Sequence, residues 1–178
     1  MMAIGSRRSM RMNVEQGFFA EKAASDDLAR ALSEQLRPGD EAMVLLCSAT
    51  APVSRNRMRA IRADGRSVEG GVRYESLRTP ASLSPARKAL RAASYREGAG
   101  TWFSAKFTVT AAGAFTAEYN YNDEPEWDVP VDSIAYVTDQ KHFPRDEEHQ
   151  PEWLKAKLAE GRVRIAERDA REARERKE

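Results

Sequence analysis

Apolar and polar side chains alternate most regularly between residues 102 and 121. Two alternating runs are separated by Ala112–Gly113, a pair suited to a tight turn. The positions that share one face are Phe103, Ala105, Phe107, Val109, Phe115, Ala117, Tyr119 and Tyr121. Because successive side chains of a strand point to opposite faces, a period of two indicates a strand with one buried face. The pattern therefore predicts a β-hairpin over residues 102–121.

Four shorter segments are also predicted to be strands. Residues 42–49 form an apolar run of strand length, and residues 53–63 alternate weakly before Asp64–Gly65, a strong turn signal. Together these two segments predict a second hairpin. A further strand is predicted over residues 72–77, and the short apolar run 134–137 is interpreted as a last one.

Three helices are predicted from apolar residues that recur every three or four positions. The first covers residues 18–36, the second begins with Ser84 as its N-cap, and the third begins near Pro151. The apolar face of the third helix is formed by Leu154, Leu158, Gly161 and Ile165. These elements predict an α+β fold, a single domain with an antiparallel sheet of five to six strands and helices packed on one face.

The same patterns predict where the domain begins and ends. Residues 1–16 have no sustained apolar period, so we expect a flexible leader there. Beyond Glu167 nearly every residue is charged, and alternating signs four positions apart suit a solvated helix end. The prediction is therefore a domain over residues 17–166, followed by a charged, fraying helical tail over residues 167–178.

Composition excludes several classes of protein. The 178-residue chain has one cysteine, Cys47, so it has no intramolecular disulfide and no multi-cysteine zinc site. Cys47 lies in an apolar run, where a buried and inert thiol is the expectation. No apolar run approaches the length of a membrane span, and no apolar segment follows Arg7, Arg8 and Arg11 to make a secretory signal. We therefore expect a cytoplasmic protein that makes no membrane contact.

Charge is distributed unevenly along the chain. The net charge is +1, but residues 118–152 contain eleven acidic and two basic residues, a local balance of −9. Residues 1–100 contain 17 basic and 11 acidic residues, a balance of +6. Local patches of opposite sign are therefore expected, whereas a protein that binds polyanions over its whole surface is not.

The sequence offers little that suits catalysis or metal binding. His142 and His149 lie among acidic residues, where we expect exposed loop histidines. A calcium loop counted from Asp123 would need glycine at position six and glutamate at position twelve, but Asp128 and Ile134 stand there. The carboxylates crowd into one proline-containing loop, so they do not have the opposed environments of an acid–base pair. No catalytic residue, cofactor or metal is predicted, and the protein is not expected to be an enzyme.

The acidic segment that follows the second alternating run has the composition of a binding surface. Its predicted partner-binding residues are Tyr121, Asp123, Glu124, Glu126, Trp127 and Asp128. Trp127 has two interpretations: it packs back onto the sheet, or it is an exposed aromatic anchor ringed by charges that steer a basic partner.

The arginines of the second predicted strand also have two interpretations. They alternate along one face, at Arg55, Arg57 and Arg59, with Arg62 near the end of the strand. Such a row could follow a phosphate backbone. Without interleaved exposed aromatic residues, a solvated face or an internal electrostatic partner for the acidic segment is favoured, and no direct contact with nucleic acid is expected.

Residues 101–123 read TWFSAKFTVTAAGAFTAEYNYND. A tryptophan opens a strand, a turn glycine precedes an aromatic residue, and a Tyr-x-Tyr motif followed by acidic residues ends the second strand. These features lie at Trp102, Gly113, Phe115, Tyr119 and Tyr121. The stretch resembles the YezG-like family of immunity (antitoxin) proteins of bacterial polymorphic-toxin systems. The family often has Asp directly after the second Tyr, whereas this chain has Asn122.

The resemblance extends over roughly residues 18–160, mostly through the order of the elements. It implies a small cytosolic protein that forms a heterodimer with one cognate toxin domain and blocks it without catalysis. The toxin would be a nuclease or an NAD-consuming enzyme. Two alternatives are a protein-interaction adaptor of the same fold and a weak nucleic-acid-binding module.

Overall fold

The computed structural model describes residues 4–176, and for residues 4–16 it describes the backbone alone. The strands are β1 (Ala42–Ala49), β2 (Ser54–Ile61), β3 (Ser67–Glu69), β4 (Val72–Leu77), β5 (Ser104–Thr110) and β6 (Phe115–Asn120). The helices are α1 (Ile4–Ser33), α2 (Leu83–Ala93), α3 (Ile134–His142) and α4 (Glu152–Glu175), with a short 3-10 turn over Glu147–His149. The prediction of an α+β fold with an antiparallel sheet is confirmed.

The six strands have the order β3-β4-β2-β1-β5-β6. Both predicted hairpins form neighbouring pairs in this order, β1 with β2 and β5 with β6. The short strand β3 was not predicted from the sequence. It pairs antiparallel with β4 through a turn at Gly70–Gly71, where both residues have positive φ angles (56° and 81°) that glycine adopts without strain.

Residues 134–137 are helical, so the prediction of a strand there is wrong. They form the start of α3, and the Oδ1 atom of Asp132 accepts a hydrogen bond from the backbone N–H of Ile134 at 2.9 Å. An apolar run of four residues is too short to distinguish a buried helix from a strand by its period. The aspartate and serine just before the run are the helix-start signal that decides between them.

The described residues divide into two compact units. The first consists of the chain up to residue 45 with residues 57–95 and 107–117, and the second consists of residues 46–56, 96–106 and the chain from residue 118 onward. In the first unit α1 packs against α2, with Leu28, Leu32 and Leu90 buried. The Oγ atom of Ser94 donates a hydrogen bond to Glu21 of α1 at 3.1 Å.

Helix α1 begins at Ile4, well before the predicted start at residue 18. It therefore includes residues 4–16, which the sequence pattern left outside the first helix. Methionine, arginine, glutamate and glutamine in this segment have high helix propensity, which acts without any apolar period. The flexibility expected of the leader, and the fraying expected of the tail, stay predictions.

In the second unit α3 packs against α4. Their buried side chains join Phe103 in a core cluster that also contains Tyr136, Val137, Leu154 and Leu158. Trp153 and Ile165 are partly buried against it. The predicted apolar face of the last helix is thereby confirmed. Among the described residues, no helix is both long enough and apolar enough to cross a membrane.

Candidate functional site

The acidic loop, residues 121–128, connects β6 to the segment that precedes α3. The side chains of Asp123, Glu124, Glu126 and Asp128 are exposed, whereas Tyr121 and Trp127 are half-buried. All six residues predicted to bind a partner therefore lie on one short loop of the second unit. Its four carboxylates are accessible to a basic surface.

Asn120, the last residue of β6, fixes the start of the loop. Its Oδ1 atom accepts hydrogen bonds from the backbone N–H groups of Asn122 and Asp123, at 3.1 and 2.8 Å. Its Nδ2 atom donates to the carbonyl oxygen of Asp123 at 3.0 Å. An asparagine side chain that bonds the backbone two or three residues ahead forms an Asx turn, which replaces a backbone turn.

Two tryptophan indoles attach the loop to the aromatic cluster of Phe103, Tyr136 and Trp153. The Nε1–H of Trp153 donates to the carbonyl oxygen of Asn122 at 2.6 Å, and the Nε1–H of Trp127 donates to the hydroxyl of Tyr136 at 2.8 Å. Within the cluster the ring of Trp153 packs edge-to-face on Phe103 and on Tyr136, with centroid distances of 5.0 and 5.7 Å. Both ends of the loop thus rest on packed aromatic side chains.

The middle of the loop is attached to β1. The hydroxyl of Ser48 donates to the carbonyl oxygen of Glu126 at 2.8 Å, and Pro125 between the acidic residues is buried. Several backbone groups of the loop are bonded to Asn120, Ser48 and Trp153. The exposed carboxylates are therefore the main groups that the loop offers to a partner.

Two cations of α4 partly neutralise the acidic segment. Lys157 lies 3.5 Å from a carboxylate oxygen of Glu124, and Arg164 lies 2.9 Å from a carboxylate oxygen of Asp132. Within the described part of the chain, Asp123 and Glu126 form no ion pair. Exposed ion pairs contribute about 0–1 kcal/mol, so a partner can displace these cations at small cost.

The structure distinguishes between the two interpretations of Trp127. Its ring is half-buried and its N–H group is bonded to Tyr136 of the same unit. A tryptophan held in this way packs back onto the protein and is not a fully exposed anchor. Tyr121 is also in contact with its own unit, since its ring packs against Tyr119 at 6.2 Å and lies 5.7 Å from the guanidinium of Arg96.

One of the alternating arginines, Arg59, and the nearby Arg62 pair with carboxylates within the first unit. Arg59 forms an ion pair with Glu69, and its guanidinium lies 4.3 Å from the ring centroid of Tyr74. Arg62 bonds to Asp64 at 2.6 Å and lies 3.5 Å from Asp40. The bond from Arg62 lowers the pKa of the Asp64 carboxyl. Arg59 and Arg62 are thereby the counter-ions of local carboxylates, which accounts for part of the arginine row without nucleic acid.

Both histidines are exposed, as expected, but His142 is the last residue of α3 and does not lie in a loop. Cys47 is buried. The Nδ1 atom of His142 lies 2.9 Å from the carbonyl oxygen of Thr138. His149 forms a group with Asp146 and Glu148, whose ligand atoms lie within 4.8 Å of one another. All three side chains are exposed, so this group has the features of an ordinary acidic surface.

Sequence reasoning missed the residues that hold the loop in place. Asn120 carries a local signal, because an asparagine that ends a strand before a polar segment favours a turn. Trp153 and Ser48 carry none, since they are distant along the chain and only the tertiary structure brings them to the loop.

No protein-family model matches the chain, and no curated protein matches it.

Proposed function

We propose that this protein is a cytoplasmic immunity protein, which binds a cognate secreted toxin domain and inhibits it by occluding its active site. The mechanism is non-catalytic and needs no cofactor. The proposal combines the resemblance of residues 101–123 to YezG-like immunity proteins with the properties of the acidic loop.

The observation that carries the proposal is the exposure of four carboxylates on a loop whose backbone is bonded at its start and middle, and whose Trp127 side chain is bonded at its end. The bonds come from Asn120, Ser48 and two indoles. A surface that is already ordered before binding avoids the entropy cost of ordering during association. Concentrated negative charge speeds the capture of a basic partner by electrostatic steering.

The mode of inhibition depends on the toxin. A nuclease active site is basic because it binds phosphates, and the acidic loop would occupy it as a nucleic-acid mimic. An NAD-consuming toxin would be blocked by steric plugging. In either case a tight heterodimer would bury on the order of 1,600 Å² of total surface.

Co-expression tests the function directly. Cells that produce a toxin domain encoded beside this protein should survive when the protein is present and die when it is absent. The two chains should also co-purify as a heterodimer. Death of the cells at full expression of this protein, with no co-purification, would contradict an immunity function for that toxin.

Removal of the loop charges tests the proposed surface. Replacement of Asp123, Glu124, Glu126 and Asp128 by their amides should weaken toxin binding by at least tenfold, because four exposed charges leave the interface while the loop bonds remain. Isothermal titration calorimetry measures the change. A matched control replaces the tail carboxylates Glu167, Asp169, Glu172 and Glu175 by their amides, and its affinity should be close to that of the wild type. Equal affinity for the loop variant and the wild type would rule out this surface.

The two alternatives differ in their partners. An adaptor would bind a basic protein that is not a toxin, so that co-expression with the neighbouring toxin would give no protection. A nucleic-acid-binding module would shift generic DNA or RNA in an electrophoretic mobility assay. The pairing of Arg59 and Arg62 with carboxylates weighs against the second alternative.

A further inference from the structure

Trp153 lies outside the residues that the sequence assigned to the binding surface, yet its indole is bonded to the acidic loop. Its N–H group reaches the carbonyl oxygen of Asn122, and its ring is fixed by Phe103 and Tyr136. At the other end of the loop Trp127 is bonded to Tyr136. Both indole bonds therefore connect the loop to the same aromatic cluster.

Each of these bonds is at or below the usual N–H···O distance of about 2.9 Å. The Trp153 bond is 2.6 Å long and the Trp127 bond is 2.8 Å long. Both acceptors lie on segments that are themselves fixed, since Tyr136 is buried in α3 and Asn122 belongs to the Asx turn of Asn120. A side chain held by packing and bonded to a loop restricts the backbone of that loop.

We propose that Trp153 and Trp127 are positioning residues, which hold the acidic loop of the free protein in the conformation that presents its carboxylates to a basic partner protein. They act through the loop and through Tyr136, and neither needs to contact the partner. This inference rests on the proposed function for the identity of the partner, whereas the holding of the loop is testable in the free protein.

Amide hydrogen exchange of the free protein tests whether Trp153 holds the acidic loop in place. The substitution Trp153→Phe keeps an aromatic ring in the cluster and removes the N–H donor. The amides of Asn122 and Asp123 report on the loop, because both are bonded to Asn120. We expect their exchange to become about three- to tenfold faster, as the loss of one hydrogen bond predicts. The amide of Ala49, bonded to Phe103, reports on the sheet and should change less.

Leu158→Val is the matched control. Leu158 belongs to the same buried cluster, so its truncation loosens the packing while both indole bonds remain. It should lower the melting temperature without selective acceleration at Asn122 and Asp123. Equal exchange at these two amides in Trp153→Phe and the wild type would overturn the proposal, as would an equal acceleration in the control.

A double-mutant cycle tests the second bond. Trp127→Phe and Tyr136→Phe each remove one partner of the bond between the indole and the hydroxyl. If the bond holds the loop, the double variant should exchange no faster at Asn122 and Asp123 than the more affected single variant. Fully multiplicative effects would show that the two side chains act separately and would remove Trp127 from the proposal.

Binding to the catalytically inactivated toxin domain completes the test. For Trp153→Phe we expect an affinity about three- to tenfold lower at every salt concentration, because the charges are unchanged and only the loop must be ordered. Faster loop exchange with unchanged affinity would overturn the positioning role. Failure of the wild type to bind any such toxin, with the exchange result intact, would overturn the proposed function and leave the holding of the loop established.

Discussion

Tyr136 lies where the acidic loop meets the aromatic cluster. Ionisation of its phenol makes the stability of the folded protein depend on pH. Burial raises the pKa of its phenol, the bond from Trp127 partly opposes this change, and the charges of Glu124 and Asp139 add to it. An unfolded tyrosine ionises near pH 10, whereas the folded one stays neutral to higher pH. The folded state therefore binds more protons than the unfolded state once the pH exceeds about 10.

We accordingly expect the free energy of unfolding to fall as the pH rises above about 10, toward the raised pKa of Tyr136. The variant Tyr136→Phe should be about 1 kcal/mol less stable at neutral pH, because Trp127 loses its acceptor. It should also lose stability less steeply above pH 10, since no phenol remains to ionise at this position. Urea denaturation at a series of pH values measures both effects, and parallel curves for the two proteins would contradict the assignment.

Gly161 shows how one missing side chain permits the packing of α3 on α4. A Cβ atom at this position would lie 2.6 Å from the carbonyl oxygen of Ser133 and 2.7 Å from Cγ2 of Val137. We expect Gly161→Ala to destabilise the protein by about 1–3 kcal/mol, because the helices must separate to accept the methyl group. Thermal denaturation measures the change.

Gly17 provides the matched control, since it also lies inside a helix but has no atom within 4 Å of an added Cβ. Gly17→Ala should stabilise the protein by up to about 1 kcal/mol through helix propensity. If Gly161→Ala left the melting temperature unchanged or raised it, as is expected for Gly17→Ala, the close contact at position 161 would be contradicted.

The elements that were predicted well have a periodic run long enough to distinguish a strand from a helix, or a clear turn signal at their ends. Strands β1 and β4 begin and end at the predicted residues, because an apolar run and a glycine pair mark their bounds. The run 134–137 is too short for its period to distinguish a helix from a strand, so the strand predicted there is a helix in the structure. The start of α1 was missed for a different reason, since it depends on propensity and not on an apolar face.

Helix α4 influences the acidic loop through its charges. Lys157 pairs with Glu124, whereas Lys155, two residues earlier and similarly exposed, pairs with Glu152 at 2.8 Å. We expect Lys157→Gln to increase affinity for a basic toxin domain by about two- to fivefold, since it releases Glu124 and removes a charge that repels the partner. Calorimetric titration of both variants measures the difference.

Lys155→Gln changes the net charge by the same amount and should leave the affinity nearly unchanged. Equal gains in the two variants would indicate that net charge alone matters. In that case the pair between Lys157 and Glu124 would have no specific role at the surface.

The charged and aromatic residues of the site could be predicted from the sequence. The contacts that hold the loop in place could not. The acidic residues and Trp127 follow one another in sequence, so their concentration is visible without coordinates. The contacts from Ser48 and Trp153 join residues that are far apart along the chain, so the pattern of apolar and polar positions cannot predict them. The direction of the Trp127 indole was equally undetermined, because it depends on the position of Tyr136 in a helix that was predicted as a strand.

The net charge of +1 has a consequence for association with a toxin. Because the molecule as a whole is nearly neutral, attraction of a basic partner depends on the local balance of −9 over residues 118–152. The charges of that segment act over a Debye length of about 10 Å at 0.1 M salt, so steering weakens as salt is added. We expect the association rate constant to fall about tenfold between roughly 20 mM and 300 mM salt. The dissociation rate constant should change much less, because short-range packing limits escape.

Stopped-flow mixing with the inactivated toxin domain measures the two rate constants separately. The fourfold amide variant of the acidic loop should associate more slowly at low salt and show a flatter dependence on salt, while the tail control variant keeps the slope of the wild type. The comparison isolates the loop because both variants raise the net charge by the same four units, from +1 to +5. Equal slopes in all three proteins would place the steering charges elsewhere and would contradict the acidic loop as the first point of contact.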